Sequence, residues 1–319
     1  MRNYVLKRLL LFVPTVIVVS MVLFAILRVL PGDVAAVIIQ AGDPEVTITE
    51  EERLRVTAEL GLDRPVTTQY FEWIWGVLRF DLGDSFIIKR PVIEFVKLQV
   101  PVTLQVAFVS AILVALISLP IGVLAAVYQD KWPDYILRGA AILGLAMPSF
   151  FIALLMVLIL SRWFHWMPPF GFVHLWQDPW TSFQQLLFPA LAIGFHSSGS
   201  MMRMTRGQML EVLRDDYIRT ARAKGLSEIA VVVRHALRNA MLPVVTLFGF
   251  HIAFLLGGTV VIEIIFSIPG MGQQLIEATL LRDFPIVQTY VLYIAVLAML
   301  SNLLVDLTYA WLDPRITYS

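Results

Sequence analysis

The sequence predicts an all-α integral membrane protein of about six transmembrane helices, and three observations carry that reading. Of 319 residues, 58% are hydrophobic and only 15% charged, whereas soluble domains run near half apolar and a quarter charged. Six stretches carry no Asp, Glu, Lys or Arg: Leu9–Leu27, Leu98–Gln129, Gly139–Ser161, Pro179–Met202, Asn239–Ile262 and Phe284–Val305. Each reaches the roughly 18 residues that mark a helix able to cross ~30 Å of hydrocarbon. The charges are also sorted by loop. Segment 203–238 holds eight Lys/Arg against four Asp/Glu, while 31–97 holds twelve acids and seven bases.

The elements follow in order. Arg2, Lys7 and Arg8 precede the first apolar run. That run exceeds the ~7–15 apolar residues of a signal peptide, and no small-x-small site follows at Arg28–Asp33, so it reads as an uncleaved first helix. Basic loops stay in the cytoplasm. Six spans then place both termini and the 203–242 loop on that side, and residues 31–97 outside. Within the outer segment, Thr49 followed by Glu50, Glu51 and Glu52 is an N-cap with an acidic first turn, ended at Gly61. Thr68–Phe80 carries Tyr70, Phe71, Trp73 and Trp75, the residues of an interfacial helix, and Asp81–Ser85 reads as a turn. A packed cap and a docking surface for a delivery protein both fit this segment. The loop 162–178 reads as an aromatic belt rather than a metal site, because His165 and His174 lack acidic or cysteine partners at ligand spacing.

The later loops have their own signals. Pro269-Gly270-Met271-Gly272 breaks the fifth run, and Gln273–Leu281 is long enough for two helical turns. A re-entrant or interfacial element over Phe266–Phe284 is expected there, with Leu275, Ile276 and Leu280 on its apolar face and Gln274, Glu277 and Arg282 wet. A plain connecting loop is the alternative. Glu263 and Asp306 sit near span ends, where a charge costs little.

Several chemistries have no residues to support them. There is no P-loop, no H-E-x-x-H and no G-x-S-x-G. The absence of cysteine removes disulfides, thiolate metal sites and cysteine nucleophiles. A net charge of zero does not support nucleic-acid binding. The spans are poor in the mid-membrane ionisable groups that ion-coupled carriers use, and His196 and His251 read as hydrogen-bonded packing residues.

The most informative segment is Met209–Pro243. It reads as a short helix, with Asp215 and Asp216 at its N-terminal end and Arg222 and Lys224 at its C-terminal end, as the helix dipole prefers. Gly225 suits the left-handed closing turn, and a second helix starts near Ser227 and runs toward the membrane. Tyr217-Ile-Arg-Thr-Ala-Arg-Ala-Lys-Gly225 followed by His235-Ala-Leu-Arg-Asn239 resembles the cytoplasmic EAA-type loop of ABC importer permeases, in the form carried by the peptide/nickel branch. Arg219-Thr220-Ala221 stands where the general pattern has Glu-Ala-Ala. Leu30-Pro31-Gly32-Asp33, Glu59-Leu-Gly-Leu-Asp-Arg-Pro65, Asp81-Leu-Gly83, Glu263–Gly272, Asn302–Asp306 and Asp313-Pro-Arg-Ile316 are similar to the B-type dipeptide and oligopeptide permeases, in the same order along the chain.

That resemblance implies an ABC type I importer permease fold in a bacterial inner membrane. It implies a first helix with an extracytoplasmic segment over 1–97, and a five-helix core over 98–319. The implied partners are a homologous second permease, two cytoplasmic ATPase subunits that hold the ATP and magnesium, and an extracytoplasmic solute-binding protein. This chain would bind no cofactor and catalyse no reaction. Asp216, Tyr217, Arg219, Thr220, Ala221, Arg222, Ala223, Lys224, Gly225, His235, Arg238 and Asn239 would form the ATPase interface, with Ala221 and Ala223 in the ATPase groove. Weakly polar residues are the pore-lining candidates: Gln105, Ser110, Ser118, His251, Gly257, Gly258 and Thr259. A secondary carrier or channel without ATPase partners is the alternative, and a membrane enzyme lacks a catalytic constellation.

The topology has a direct test, since the chain has no cysteine of its own. In intact cells an impermeant thiol reagent is expected to label a cysteine placed at 52 and to spare one at 216. The reverse pattern would overturn the orientation.

Overall fold

The structure, a computed structural model, describes residues 2–29, 35–36, 39, 49–169 and 171–312. The Leu30–Asp33 and Asp313–Ile316 motifs lie outside the described residues, as do the Gly258 and Asp306 side positions. Among the described residues the chain is helical, with one isolated bridge between Asp84 and Pro91. Helix α1 (Arg2–Val29) is followed by α2 (Glu50–Glu59) and α3 (Val66–Leu78). Next come α4 (Val92–Val127), α5 (Trp132–Ala146), α6 (Ser149–Phe164) and α7 (Pro179–Val212). After them stand α8 (Asp216–Ala223), α9 (Glu228–Ala230), a π-helical turn (Val231–Ala236), α10 (Leu237–Ile265), α11 (Met271–Leu280) and α12 (Phe284–Leu312).

Four described helices are long and apolar enough to cross a membrane: Arg8–Arg28, Val92–Val127, Glu228–Ile252 and Phe284–Val305. The third expected span, 139–161, is not one straight helix. The chain bends by 102° between α5 and α6, where Met147 is extended ahead of Pro148, as a residue preceding proline prefers. His196 Nδ1 lies 3.1 Å from the Gly144 carbonyl and 3.0 Å from that of Met147, which gives carbonyls freed by the break a partner. Counting this bent pair as one span brings the total to five, against the six expected.

The remaining run lies in α7, which is 34 residues long but not apolar enough to pass. The helix packs against α4, α5, α6 and α10, and its Ser197, Ser198 and Thr205 are buried. Small residues bring its backbone close to its neighbours: a Cβ at Gly199 would collide with the Ala141 carbonyl. A helix wrapped by other helices needs contact surface rather than a lipid-facing one.

The segment between α1 and α4 forms as its caps dictate. Thr49 accepts from the Glu52 N–H while the Glu52 carboxylate accepts from the Thr49 N–H, a reciprocal box that closes the start of α2. The Thr49 hydroxyl, as the largest influence, holds the exposed Glu52 carboxyl below its ordinary range. Helix α3 packs its aromatic face on α1: Tyr70 is 2.9 Å from the Ser20 hydroxyl, and the Phe24 ring meets Tyr70 edge-on with centroids 5.5 Å apart. Phe71 and Trp75 stay exposed.

Helix α11 confirms an ordered helix in the 266–284 region, but with a different inward face. Met271, Gly272 and Ala278 are buried with Leu275 packed beside them, while Ile276 and Leu280 face out and Gln274 is half-buried on Gln99 rather than wet. Its orientation is set by the buried Glu263 rather than by an apolar stripe. The Glu263 carboxylate accepts from Thr103 Oγ1 at 2.7 Å, Gly272 N at 2.8 Å and Gln273 N at 3.1 Å. The Met271 N–H donates to the same Thr103 hydroxyl at 2.8 Å. Glu263 thus caps α11 from α10 and joins both to α4. A Cβ at Gly270 would overlap this carboxylate. Glu263 is completely buried, so its charge is not one left cheaply at a solvated span end.

Glu263→Ala strips an acceptor from the Thr103 and Thr259 hydroxyls and the Gly272 and Gln273 N–H groups, and a buried donor left unpaired costs about 1–3 kcal/mol. A loss of about 3 kcal/mol or more is expected by thermal unfolding in detergent, with Glu263→Gln losing less because one carbonyl acceptor remains. Equal unfolding temperatures for wild type and the alanine variant would refute this role.

Candidate functional site

The 203–242 loop folds as a compact two-helix protrusion. Ile218 and Ala221 lie three residues apart, and so on one face of α8. Both are buried against Met209 and Val212 of α7 and Val231, Val232, Ala236 and Ala240 of the π-turn and α10. Asp215 and Asp216 open the helix. Gly225 takes φ +79° with nothing within 4 Å of a Cβ built on it, so a side chain there meets backbone strain rather than crowding. Ser227 caps α9, and the Arg222 guanidinium bridges the turn to Glu228 at 2.8 and 3.3 Å. Asn239 Nδ2 donates to the Tyr217 hydroxyl at 2.7 Å, tying α8 to α10.

The outward face carries Asp216, Tyr217, Arg219, Thr220, Arg222, Ala223, Lys224 and Gly225, with Arg238 and Asn239 also exposed and His235 half-buried. Ala221 does not belong to that face. It forms part of the loop's own core, because the three-residue spacing from Ile218 turns it inward. Sequence reasoning passed over the exposed apolar residues beside the charges: Leu226, Ile229 and Val233, of which Ile229 is 77% exposed. Three apolar side chains on an otherwise charged loop were the available signal.

Four pore-lining candidates are corrected by burial. Gln105, Ser110, Ser118 and Thr259 are enclosed within this chain, so they cannot line a surface shared with another one. Gln105 clamps the 166–178 loop: its Nε2 lies 2.7 Å from His174 Nδ1, and its Oε1 accepts from the Leu175 N–H at 3.0 Å. Ser110 donates to the Val106 carbonyl within α4. Thr259 bonds the Glu263 side chain. His251 is half-buried with Nε2 2.9 Å from Ser200 Oγ, and Gly257 is exposed with open space beside it. A chemical role was also missed at Asp134, buried between α5 and α7 and held bidentately by Arg206 at 2.8 and 2.7 Å. Asp283 was missed too: it accepts from Ser85 Oγ and from the Phe86 N–H at 3.1 Å, fastening the outer turn to the start of α12.

A bundle of long apolar helices with a compact charged loop defines a helical membrane protein, and comparison with known proteins gives the family. Residues 118–318 match the model of the binding-protein-dependent transport system inner membrane component, and residues 1–107 match its N-terminal companion. The chain belongs to this family of transport system membrane components. It is 39% identical over 318 residues to a protein of Brucella abortus (strain 2308) named as a peptide transport system permease, with 100% of both chains covered. It is 40% identical over 318 residues to the glutathione transport system permease protein of Salmonella choleraesuis (strain SC-B67), again over 100% of both chains. A crystal structure of an amino acid ABC transporter shares the fold, with a TM-score of 0.53 and 15% identity over 68% of this chain and 94% of that one.

Ala221→Asp puts a charge among apolar neighbours, whereas Ala223→Asp puts it in water. Limited trypsin digestion within 219–224 is expected to run at least about tenfold faster in Ala221→Asp, which ~1.4 kcal/mol of local destabilisation produces. Ala223→Asp should digest like wild type. Equal rates for all three would place Ala221 outside the loop core.

Proposed function

We propose that this pore-forming permease subunit carries short peptides into the cytoplasm, driven by ATP hydrolysis on partner chains. The loop face carries the mechanism. Tyr217, Leu226, Ile229 and Val233 are exposed on the same loop as the exposed Arg219, Arg222, Lys224 and Arg234. Apolar anchors inside a charged rim make a protein-docking surface. The loop continues through the π-turn into α10, and Asn239 and the Arg222–Glu228 pair hold its pose. An ATPase seated there would move α10 with it, as a rigid-body step that shifts the bundle between two arrangements.

The partners in this reading are a homologous second permease, two cytoplasmic ATPases that hold the ATP and magnesium, and an extracytoplasmic solute-binding protein. This chain holds no cofactor and catalyses nothing. Its basic loop and both termini face the cytoplasm of a bacterium, and it divides into a first helix with an outer segment, 1–97, and a permease core, 98–319. The curated relatives named for peptide and glutathione transport support a cargo of short peptides. His251 and Gly257 are the remaining candidates for the pore face. A carrier acting alone would have no use for a docking protrusion of this kind.

In the reconstituted complex, Ile229→Asp is expected to weaken ATPase retention on the membrane at least about tenfold and to abolish uptake of labelled dialanine, because a charge replaces a desolvated anchor. Gly225→Val should insert normally and lose coupling, with strain of about 1–2 kcal/mol at the left-handed turn. Wild-type uptake from both variants would refute the coupling role.

A further inference from the structure

Helix α3 divides its surface into three faces, because spacings of three and four return a residue to the same side of a helix. Tyr70, Trp73 and Val77 turn to α1. The Tyr70 hydroxyl lies 2.9 Å from that of Ser20, and the Tyr70 and Trp73 rings stand 5.5 and 5.7 Å from the Phe24 ring. Trp73 and Val77 pack against the cluster that holds Leu23 and Leu27. On a second face, Gln69, Glu72 and Gly76 line one cavity with Arg28, Asp81 and Asp84, and Glu72, the one charged residue of the helix, is paired with Arg64. Phe71, Trp75 and Leu78 form the third face. They are 64%, 56% and 68% exposed, and Phe80 is exposed just beyond them.

The contacts with α1 fix the level of this helix. The stretch Arg8–Arg28 is 21 residues long and apolar enough to cross a membrane, and at ~1.5 Å per residue it matches ~30 Å of hydrocarbon. Ser20 stands eight residues before Arg28 and Phe24 four, which puts them ~12 Å and ~6 Å inside that end of the span. On the same turns Met21, Val22 and Ile26 of α1 are exposed and apolar, the face a spanning helix turns to lipid. A helix whose rings meet Phe24 and whose hydroxyl reaches Ser20 therefore lies at hydrocarbon level, not on top of the membrane. Helix α2 is its opposite: it has no buried residue and carries three acids in its first turn, the composition of a helix in water.

We propose that α3 is set into the leaflet at the Arg28 end of α1, and that Phe71, Trp75 and Leu78 form a lipid-contact surface whose ligand is the acyl chains of that leaflet. On the orientation argued above this is the outer leaflet; the depth does not depend on the orientation. The helix meets the demands that lipid makes. Its backbone groups bond along the helix, and its polar face turns to the cavity instead of the chains. The Arg79 guanidinium lies over the Trp75 ring, 4.4 Å from its centroid, on a stem long enough to carry the charge to the headgroups. Helix α3 is thereby withdrawn from the surface offered to a delivery protein, which leaves α2 as the water-exposed helix of the segment between α1 and α4.

The test places one cysteine at a time in a chain that has none: Phe71→Cys, Trp75→Cys and Leu78→Cys, with Val22→Cys on α1 and Glu51→Cys on α2 as references. Each is labelled with bimane, and the full importer is reconstituted into vesicles of phosphatidylcholine carrying a doxyl group near the top of one acyl chain. Labels at 71, 75 and 78 are expected to be quenched by the doxyl lipid at least about threefold more strongly than one at 51, as the label at 22 is. Iodide in the buffer should quench them at least about threefold less than it quenches the label at 51. Monodisperse elution shows that each labelled variant is folded, and positions 71 and 78 read the same face should loss of Trp75 disturb it. Iodide quenching at all three positions equal to that at 51 overturns the proposal. Shielding from both quenchers in the importer overturns it as well, since a partner chain then covers the face. Doxyl quenching reads depth from either leaflet, whereas thiol labelling at 52 and 216 reads orientation, so failure of the one is distinct from failure of the other.

Discussion

A carboxylate shut away from water must be met by donors, and the end of the bundle where α4, α10 and α11 meet is organised around meeting that demand at Glu263. Its oxygens take the N–H groups that α11 leaves open at its first turn, together with the hydroxyl of Thr103. Because the donors come from α4 and α11 and the acceptor from α10, the relative positions of three elements are set by one side chain. A Cβ at Gly270 would overlap the carboxylate, and one at Gly272 would strike Val260 first and the carboxylate next. Tyr290 and Gln99 extend the polar contacts from α12 to α4, and Gln99 Nε2 reaches Gln274 of α11 at 2.9 Å.

The same logic recurs where other elements meet. Asp134 and Arg206 join α5 to α7 by a forked pair, the geometry that gives a guanidinium–carboxylate contact its direction as well as its strength. Asp283 collects the hydroxyl and N–H groups of the outer turn, and His196 serves the carbonyls at the α5–α6 break. In lipid there is no water to fall back on, so unpaired groups at breaks and turns have to find partners within the protein. Between these anchors the helices meet through small residues and apolar contacts that specify distance more than direction.

The 203–242 loop has a different construction, one that the proposed role in water against a partner protein would require. Ile218 and Ala221 supply a small core of its own, which leaves the opposite face free to carry exposed apolar residues without the loop collapsing on them. The left-handed Gly225 and the Arg222–Glu228 bridge then hold two short helices that would be marginal alone. Stiffness in the loop and continuity into α10 are both required if movement at the tip is to reach the membrane.

Much of this was legible from local pattern. Long uncharged runs marked most of the spans, Thr49 with Glu52 marked a cap, and Gly225 marked a turn, because each depends on residues a few positions apart. Reading faces was harder. Ala221 looked like a docking residue until its neighbours from α7 and α10 were in place. Gln105, Ser110, Ser118 and Thr259 looked like polar pore residues for the same reason: chemistry alone does not say whether a small polar group faces a channel or a neighbouring helix. The partner of the carbonyl freed at Met147-Pro148 and a donor to the buried Glu263 lie 49 and 160 residues away in sequence. The sequence by itself determined the class, most of the spans and the loop's local form, since those follow from hydrophobicity, charge and turn chemistry. Only the tertiary structure decided which polar groups are buried, because burial belongs to the contacts between elements and not to any one of them.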